Sequence, residues 1–372
     1  MKVAYLVGGL PFGGIERWLC DLNLEYMQSG LVQGRVFNLS GTGELLPQYV
    51  AAGIDVECLA GSVRAIASHR LDMALRLRKR LKAFAPDIIH SMHFTANHHG
   101  RIASLGLGVP HIVHLRNVKH ERKMVRRLSD KLLSYATTAY LAVSGAVAEV
   151  VQTDHNLAGR PVRVLYNALE PGRLNFAPLD IRAVFGLEGP YIVAVGRYVP
   201  QKNLDLLVRA MAIIRQAGER ASLILVGEGT ERPKLEALVA ELRLEDRVAL
   251  AGFRNDVPAF YRAAHIFAMP SDFEGLPIAH LEAMHCGLPA VVSEHVPSLE
   301  IASDASLVCR RDAQDIADKL LTLLRDGELH GKLAAAAKRA AEPHTMGNYA
   351  KTLYRIYEQV IAGNAADLAG DR

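Results

Sequence analysis

The sequence predicts an α/β protein built from two doubly wound domains, each with a parallel sheet between layers of helices. Short apolar runs alternate with helical patterns along most of the chain, which is typical of βαβ units. The 372 residues also exceed the roughly 250–300 at which a single hydrophobic core stops growing. A break at residues 166–178 (YNALEPGRLNFAP) is interpreted as a hinge, because the alternation lapses there and then restarts.

The alternation assigns elements to both halves of the chain. The predicted strands are 3–7, 34–39, 55–59, 87–90, 110–115, 139–143, 162–165, 191–195, 222–226, 248–250, 265–269, 290–292 and 306–308. The predicted helices include 15–27, 63–84, 124–135, 146–152, 203–216, 232–242 and 312–324. The predicted domains are 1–170 and 171–346. A helix at 347–362 is expected to cross back to the N-terminal domain, followed by a flexible tail at 363–372.

Positive charge is concentrated in the first half. The formal net charge is +4, with +7 on residues 1–170 and −3 on the remainder. Most of the excess lies at residues 76–82 (RLRKRLK) and 116–131 (RNVKHERKMVRRLSDK). A solvated helix face explains such runs most often, and contact with anionic lipid or an acidic acceptor is the alternative. Nucleic acid is not expected, because aromatic residues are not interleaved with the basic ones.

The cysteines and the N-terminus favour a cytoplasmic protein. The four cysteines show neither CxxC spacing nor clustering, which fits reduced thiols. The apolar run at residues 3–10 is too short to span a bilayer and is followed at once by proline and a glycine pair. We therefore interpret it as a first strand and not as a signal peptide.

The stretch PSDFEGLPIAHLEAMHCGLP at residues 270–289 holds two glutamates eight positions apart across a strand–loop–helix junction. Pro277 suits the first turn of the helix. In an open α/β sheet, ligands bind outside the carboxyl ends of the strands, where helix N-termini offer free N–H groups. An ordinary helix start is the alternative, since carboxylates favour that position. The candidate ligand groups are Glu274, Gly275, Leu276 and Glu282.

A second candidate site is the loop GRYVPQKN at residues 196–203, directly after a predicted strand. The loop begins with Gly196 and carries two cations, Arg197 and Lys202. Asn203 is a candidate cap for the next helix. Two cations beside a helix N-terminus are typical of a diphosphate site, and unrelated surface charges are the alternative.

Two glycines occupy similar places after strands. Gly227 lies in VGEGT, and Gly14 belongs to the Gly13-Gly14 pair that opens the first helix. A glycine there permits a tight turn and close approach of a ligand to the backbone. An ordinary turn is the alternative in both places.

Histidines are numerous around the predicted strand ends of the first half. They are His90, His93, His98, His99, His111, His114 and His120. No HExxH motif or DxD cluster accompanies them, so no metal is expected. One of them is expected to line a cleft, since imidazole exchanges protons near neutral pH. The chain contains no GxSxG and no GxxxxGK[ST], so it offers no support for a hydrolase or P-loop class.

Four motifs in order resemble those of the retaining GT-B glycosyltransferases of glycosyltransferase family 4. They are GGIE at 13–16, GRYVPQKN at 196–203, LILVGEGTERPKLE at 223–236 and PSDFEGLPIAHLEAM at 270–284. Glu274 and Glu282 resemble the family's E-x7-E motif. The resemblance implies two Rossmann-like domains facing across a cleft. It also implies a nucleotide-sugar donor held mainly by the C-terminal domain, an acceptor held mainly by the N-terminal domain, and catalysis without metal or cofactor.

The resemblance further implies roles for single residues. Arg197 and Lys202 would hold the donor diphosphate and neutralise charge on the leaving group. Glu282 would hydrogen-bond the ribose, and Glu274 would contact the transferred sugar. The other implied donor-site residues are Gly14, Gly196, Asn203, Gly227, Gly275 and Leu276.

Two stretches depart from the family's pattern. The common EGFG is here EGLP, so Pro277 removes one backbone donor and is expected to change sugar-hydroxyl recognition. Where many relatives read HSHMFHAN, this chain reads HSMHFTAN at residues 90–97. His93 is therefore offset by one place, which turns the ring to another face unless the strand has already ended. His93 is the candidate catalytic histidine, with His90 and Asn97 as alternatives.

The predicted function is transfer of a glycosyl unit from a nucleotide sugar, UDP in preference to GDP, to a hydroxyl of a lipid-linked or polysaccharide glycan. Retention at the anomeric carbon is expected. The basic first half is expected to contact the anionic inner face of the cytoplasmic membrane. A GT-B-type sugar-nucleotide epimerase is one alternative, and it would turn over donor without acceptor. A non-catalytic partner subunit is another, and the intact Glu274, Arg197, Lys202 and Glu282 count against it.

Overall fold

The computed structural model describes residues 1–67, 70–117 and 124–369. The chain divides into two compact units. Unit one comprises Met1–Ala168 and Met346–Arg372, and unit two comprises Leu169–Thr345. The chain therefore leaves unit one inside the segment interpreted as a hinge, and its last helix belongs to unit one.

Unit one is built on a sheet of seven parallel strands in the order β3-β2-β1-β4-β5-β6-β7. The strands are β1 (Lys2–Val7), β2 (Gln33–Asn38), β3 (Val56–Cys58), β4 (Ile88–Met92), β5 (His111–Leu115), β6 (Ala139–Ala142) and β7 (Val162–Val164). Strand β4 is buried along its whole length, as expected of a parallel strand covered on both faces. The strand order reverses direction between β1 and β4.

The helices of unit one follow the predicted alternation. They are α1 (Gly14–Ser29), α2 (Leu46–Ala51), α3 (Leu71–Phe84), α4 (Phe94–Ser104), α5 (Met124–Leu133) and α6 (Gly145–Val150). Helix α3 packs on the sheet through an apolar stripe at helical spacing, which consists of Met73, Ala74, Leu77, Leu81 and Phe84. No helix within residues 1–67, 70–117 and 124–369 has the length and apolar character needed to cross a membrane.

The predicted single helix at 63–84 is wrong. Val63–Ile66 forms only a short 3₁₀ helix, and α3 begins at Leu71. The backbone of Ala67 has ψ 138° and Arg70 is extended, so a continuous helix cannot run through them. Residues 68 and 69 lie outside the described residues. The apolar periodicity of both pieces is compatible with one helix, which is why the sequence pattern does not reveal the break.

Unit two is built on a second sheet, with six parallel strands in the order β10-β9-β8-β11-β12-β13. The strands are β8 (Tyr191–Val195), β9 (Ser222–Val226), β10 (Val248–Gly252), β11 (Ile266–Met269), β12 (Ala290–Ser293) and β13 (Ser306–Cys309). The helices are α7 (Ile181–Phe185), α8 (Leu204–Gln216), α9 (Arg232–Glu241), α10 (Val257–Ala263), α11 (Ile278–His285), α12 (Leu299–Ala302), α13 (Ala313–Arg325) and α14 (Gly327–Ala341).

The core of unit two has two layers because strand side chains alternate between the faces of the sheet. On β9, Leu223 and Leu225 pack in one layer with α8, α9 and α13. Ile224 and Val226 of the same strand point to the other layer, which includes residues of α10 and α11. All four are buried. The continuous apolar runs of the sequence therefore correspond to strands covered by helices on both faces.

Helix α15 (Met346–Ile361) packs within unit one. Tyr26 Oη donates a hydrogen bond of 2.9 Å to the carbonyl oxygen of Ala350. Tyr357 is fully buried, and its hydroxyl lies 2.5 Å from His90 Nδ1. Polar anchors inside an apolar interface fix the position of the helix, because each would be costly to leave without a partner.

The segment after α15 differs from the predicted flexible tail at 363–372. Ala365–Ala369 forms a 3₁₀ helix. Leu368 within it is buried, so an apolar side chain holds this end of the chain against unit one. Residues 370–372 lie outside the described residues.

Candidate active site

Each sheet has one point at which its strand order reverses, between β1 and β4 in unit one and between β8 and β11 in unit two. In open α/β sheets, the carboxyl ends of the strands at such a point form a crevice that binds ligands. The loops after β8 and β11 contain the predicted sites at residues 196–203 and 270–277. The loops after β1 and β4 contain Gly14 and His93.

In unit two, an ion pair joins these two loops. Lys202 Nζ lies 2.7 Å from Glu274 Oε1, and only 16% and 12% of the two side chains are exposed. Lys202 ends the short 3₁₀ helix Pro200–Lys202 after β8, and Glu274 follows β11. A ligand with a negative charge would compete with Glu274 for the ammonium. A ligand with hydroxyl groups would compete with Lys202 for the carboxylate.

Side chains next to this pair hold the two loops together. Gln201 Nε2 donates to the carbonyl oxygen of Phe273 at 2.6 Å. Asn203 Nδ2 donates to Asp272 Oδ1 at 2.6 Å and to the carbonyl oxygen of Pro270 at 3.0 Å. The predicted side-chain cap by Asn203 is wrong, because this residue precedes α8 with a φ of 49° and makes no capping hydrogen bond. Its amide instead positions the loop that carries Glu274.

Glycines let the neighbouring loops of unit two pack closely. Gly227 has a φ of 145°, and a Cβ atom there would lie 1.9 Å from the carbonyl oxygen of Gly196. A Cβ on Gly229 would lie 2.3 Å from the carbonyl oxygen of Tyr198. We predicted that Gly227 allows a ligand to approach, whereas its observed neighbour is protein backbone. A Cβ on Gly196 itself, whose φ is 154°, would lie 3.1 Å from Lys202 Cε.

Arg197, the other predicted cation of this loop, does not contact the Lys202–Glu274 pair. Its side chain is exposed and forms no hydrogen bond or ion pair with any described residue. Its backbone carbonyl accepts a hydrogen bond from the N–H of Val199, which keeps the turn after Gly196 tight. Arg197 is therefore placed to reach a ligand only from the solvent side.

Helix α11 carries Glu282, the second glutamate of the E-x7-E motif. Pro277 is the residue before the first helical position, and Gly275 and Leu276 are buried in the turn that precedes it. Tyr261 Oη donates to Glu282 Oε2 at 3.0 Å. Burial, with Glu282 beside it, raises the pKa of Tyr261 well above its ordinary value. The Tyr261 hydroxyl therefore stays protonated and fixes one carboxylate oxygen of Glu282, a contact that the sequence did not reveal.

In unit one, the loop after β1 meets the end of β4. Gly14 is the first residue of α1, and the Glu16 carboxylate folds back to within 2.2 Å of the place where a Cβ on Gly13 would lie. Glu16 Oε1 is 3.5 Å from Nε2 of His93. His93 follows the last residue of β4 with a φ of 72°. Since β4 ends at Met92, the one-place offset of His93 does not turn its ring into the core.

The two alternatives to His93 lie elsewhere. His90 is fully buried, with Nε2 3.2 Å from His114 Nδ1. Burial first, and then the charge of Arg116, lowers the pKa of His90 to about 3 and that of His93 to about 4. Asn97 is buried on α4. Of the three, only His93 lies directly after the end of β4, where its neighbour is the Glu16 carboxylate. Its lowered pKa means that it is neutral at neutral pH.

Arg116 belongs to the same end of the sheet and was not predicted as a site residue. It follows the last residue of β5, and its guanidinium carbon lies 4.0 Å from the centre of the Trp18 ring. Its Nη2 donates to Asn167 Oδ1 at 2.5 Å. Burial lowers its pKa to about 10, so it remains charged at neutral pH. Its position after a strand was a usable signal, but it also begins the basic run at 116–131, which we interpreted as a surface. Residues 118–123 of that run lie outside the described residues.

No group of three or more His, Cys, Asp and Glu side chains in the described part of the chain could hold a metal ion. His90 and His114 stack on each other, with ring centres 5.3 Å apart, in the core of unit one. Their neighbours are tyrosine and tryptophan, which offer no further metal ligand of the usual kind.

Two family models match the chain. The model described as glycosyl transferases group 1 matches residues 180–340. The model described as glycosyltransferase family 4 matches residues 12–173. The predicted donor-site loops of unit two fall within the first match, and Gly14 and His93 fall within the second.

Named relatives agree with these matches. A D-inositol 3-phosphate glycosyltransferase of Saccharomonospora viridis is 30% identical over 319 residues, which cover 76% of this chain and 73% of that protein. A UDP-Gal:alpha-D-GlcNAc-diphosphoundecaprenol alpha-1,3-galactosyltransferase of Escherichia coli is 29% identical over 236 residues. That match covers 59% of this chain and 60% of the relative. Both relatives are glycosyltransferases, so the comparisons do not favour the epimerase alternative.

The fold is also that of solved glycosyltransferase structures. Anabaena Alr3699/HepE, crystallised in complex with UDP and glucose, matches with a TM-score of 0.83 at 22% identity. The match covers 96% of this chain and 100% of that chain. At this identity the likeness shows the fold, which is GT-B. The two family models and the 30% identical relative show that the chain belongs to glycosyltransferase family 4 and is a glycosyltransferase.

Proposed function

We propose that this enzyme transfers a sugar from a UDP-sugar to a hydroxyl of a lipid-linked or polysaccharide glycan, with retention and without a metal ion. The observation that carries the proposal is the Lys202–Glu274 pair at the strand-order reversal of unit two. It offers one cation and one carboxylate to a ligand that carries both a diphosphate and hydroxyl groups. The Anabaena structure contains UDP and glucose, and the Escherichia coli relative is named for a UDP-sugar donor and a lipid-linked acceptor.

The proposed division of roles follows from the contacts. Lys202, with Arg197 from the solvent side, binds the diphosphate and stabilises the charge that develops as the bond to the sugar breaks. Glu274, released from Lys202, accepts hydrogen bonds from the sugar and stabilises positive charge at its anomeric carbon. Glu282, held by Tyr261, binds the ribose hydroxyls. The amides of Gly275 and Leu276 complete the part of the proposed donor site that lies in unit two.

The acceptor hydroxyl loses a proton when it attacks the anomeric carbon. In the proposed reaction the bond from that carbon to the diphosphate oxygen breaks, and a bond to the acceptor oxygen forms. The leaving diphosphate takes up the negative charge, and its oxygen receives the proton. His93 is neutral at neutral pH, so it can hydrogen-bond the attacking hydroxyl and orient it.

Product stereochemistry tests the reaction class. The purified protein is incubated with UDP-sugars and a short glycan acceptor, and the new linkage is followed by proton NMR. The α-linked donor is expected to give an α-linked product at an unchanged rate in EDTA. A β-linked product would contradict retention, and loss of activity in EDTA would contradict metal independence. Turnover of donor without acceptor is measured in parallel, since an epimerase would show it.

We further propose a peripheral contact between helix α5 and an anionic membrane at the cytoplasmic face. Met124, Leu128 and Leu132 recur every fourth residue and are each more than half exposed, as is Tyr135 just beyond the helix. The exposed Arg127 and the partly buried Lys131 belong to the same helix. An apolar stripe flanked by basic groups is the pattern of a helix that lies in a membrane interface.

Vesicle sedimentation tests this contact. Leu128→Glu with Leu132→Glu places two negative charges in the stripe without disturbing a buried side chain. The double variant is expected to lose binding to vesicles that contain phosphatidylglycerol, while Leu105→Glu, an equally exposed position outside α5, is expected to retain it. Equal binding by the double variant and the wild type would contradict the proposed contact.

A further inference from the structure

Unit one contains a partly buried arginine, Arg116, two of whose nitrogens have no hydrogen-bond partner in the described part of the chain. Nε and Nη1 of Arg116 are both enclosed and have no hydrogen-bond partner among the described residues. Only Nη2 is paired, with Asn167. Leaving an enclosed charged donor without a partner is energetically unfavourable, so such groups normally meet an acceptor in the working protein.

The guanidinium is held in one orientation. Its face lies over the Trp18 ring at 4.0 Å, and the 2.5 Å hydrogen bond to Asn167 Oδ1 fixes its rotation. Trp18 in turn meets Tyr349 edge to face, with ring centres 5.2 Å apart. An arginine held in this way presents its remaining N–H groups in fixed directions, as in recognition sites for phosphate and carboxylate groups.

The surroundings add further donors. Trp18 Nε1 is buried without a partner among the described residues, and so is the Tyr349 hydroxyl. Indole nitrogen can only donate. No described carboxylate forms an ion pair with Arg116, and Glu16, whose charge acts on it, lies against Gly13 and His93. This end of the sheet therefore holds several enclosed donors that have no described partner, and a guanidinium that forms no ion pair with a described carboxylate.

We propose that Arg116 binds a phosphate group of the acceptor substrate, which makes the acceptor a phosphate- or diphosphate-bearing molecule. This inference rests on the proposed function only where it assigns the bound phosphate to the acceptor. The anion site itself is defined by Arg116, Trp18 and Asn167. A lipid diphosphate and a soluble sugar phosphate share the chemistry that this site recognises. An oxyanion would satisfy a nitrogen that is now without a partner and compensate the guanidinium charge.

Isothermal titration tests the site directly. Geranyl diphosphate and glucose 1-phosphate are titrated separately into the full chain at saturating UDP, which occupies the proposed donor diphosphate site. At least one probe is expected to bind the wild type. Arg116→Gln is expected to weaken it about tenfold or more, since a charge-assisted pair is lost. Arg116→Lys keeps the charge but loses the planar guanidinium. Its affinity for the probe is expected to lie between those of the wild type and Arg116→Gln.

Two further variants separate the site from general charge and from folding. Lys79→Gln removes one exposed positive charge from α3 and is expected to leave the affinity unchanged. Asn167→Ala keeps the Arg116 charge, frees its orientation and is expected to weaken binding severalfold, which covers the case in which Arg116→Gln fails to fold. The probe that responds identifies the source of the phosphate.

The proposal is overturned if neither probe binds the wild type, as when internal water fills the site, or if Arg116→Gln binds as tightly as the wild type. UDP binding is recorded in the same experiment. A chain that fails to bind UDP but shows Arg116-dependent binding of a phosphate probe would contradict the proposed donor and keep the anion site.

Discussion

The two strand-order reversals of the molecule are alike in topology and opposite in electrostatics. In unit two, the loops after β8 and β11 are joined by their own side chains, through the Lys202–Glu274 ion pair and the hydrogen bond from Asn203 to Asp272. In unit one, the equivalent loops and the end of β5 bring together Arg116, which lacks partners on two nitrogens, and the neutral His93. The same arrangement of strands thus supports a self-paired site and a site whose arginine forms no ion pair with a described carboxylate.

This difference indicates how each site meets its ligand. A ligand of unit two has to replace an existing ion pair, so it gains most when it supplies both an anion for Lys202 and hydroxyls for Glu274. A ligand of unit one would satisfy a group that is already costly to leave unpaired. Selectivity for two-part ligands is therefore expected of unit two, and selectivity for a single oxyanion is expected of unit one.

The largest effect is expected from breaking the Lys202–Glu274 ion pair of unit two. Glu274→Gln keeps the shape of the side chain and removes its charge, so positive charge on the transferred sugar loses its stabiliser. We expect the turnover number for transfer to fall about 100- to 1,000-fold in steady-state assays. Glu241→Gln, at the exposed end of α9, serves as the matched control and should transfer normally. An unchanged rate in Glu274→Gln would show that the pair is only structural.

The buried histidines of unit one are expected to make stability fall in acid. Burial lowers the folded-state pKa of His90 and His111 to about 3, below the value of about 6.5 in an unfolded chain. Stability is therefore complete above pH 6.5 and declines as the pH falls towards 3. Each histidine is expected to contribute about 3 kcal/mol of this loss by pH 4.

Thermal unfolding between pH 7 and pH 4 checks this prediction. His111→Asn removes one of the two groups and should flatten the dependence of the unfolding temperature on pH. Its hydrogen bonds, at 2.8 Å to Ser91 Oγ and 3.2 Å to Ser104 Oγ, are lost at every pH and so lower the whole curve without changing its slope. An unchanged slope would contradict the assignment of neutral buried histidines.

A smaller effect tests the packing beneath the Lys202 loop. Gly227→Ala places a methyl group on the carbonyl oxygen of Gly196, so the two loops must separate. Gly218→Ala is the matched control, because Gly218 also has a positive φ but has open space around it. We expect Gly227→Ala to lower the free energy of unfolding by about 2 kcal/mol more than the control does, and to raise the KM for the donor. Equal unfolding temperatures for the two variants would contradict the packing role.

The smallest effect sharpens the role of Glu282. Tyr261→Phe removes the hydrogen bond that fixes its carboxylate and leaves the ring in place. We expect the KM for the donor to rise about threefold, with the turnover number unchanged, since Tyr261 positions the Glu282 carboxylate and is not itself proposed to contact the donor. Tyr191→Phe, whose hydroxyl donates to the carbonyl oxygen of Leu187, is the control. A fall in the turnover number alone would place Glu282 at the reacting sugar instead.

The sequence predicts the fold well where side-chain period and strand burial coincide. Every predicted strand overlaps an observed one, and several of these strands, such as β9 and β11, are short apolar runs that are buried along their whole length. The break before α3 was missed because the extended backbone at Ala67 leaves no mark in the apolar pattern. The 3₁₀ helix at Ala365–Ala369 was missed because a single buried side chain, Leu368, holds it.

The candidate site could be predicted where residues are close along the chain to a strand end. Lys202 and Glu274 were found in this way, and the structure joins them across 72 positions. Tyr261 and Arg116 were missed because their significance depends on partners that are distant in sequence, Glu282 in one case and Trp18 and Asn167 in the other. Asn203 was assigned as a cap because its position is visible in the sequence, while its partners in the β11 loop are not.

The return of helix α15 to unit one has a consequence for synthesis of the chain. Trp18, Tyr26 and His90 are made before unit two, yet their partners Tyr349, Ala350 and Tyr357 are made after it. Unit two can complete its core once residue 345 has been made, whereas unit one stays incomplete until helix α15 has also been made. The half that is made first is thus the half that finishes folding last, and it is the one exposed longest to chaperones and proteases.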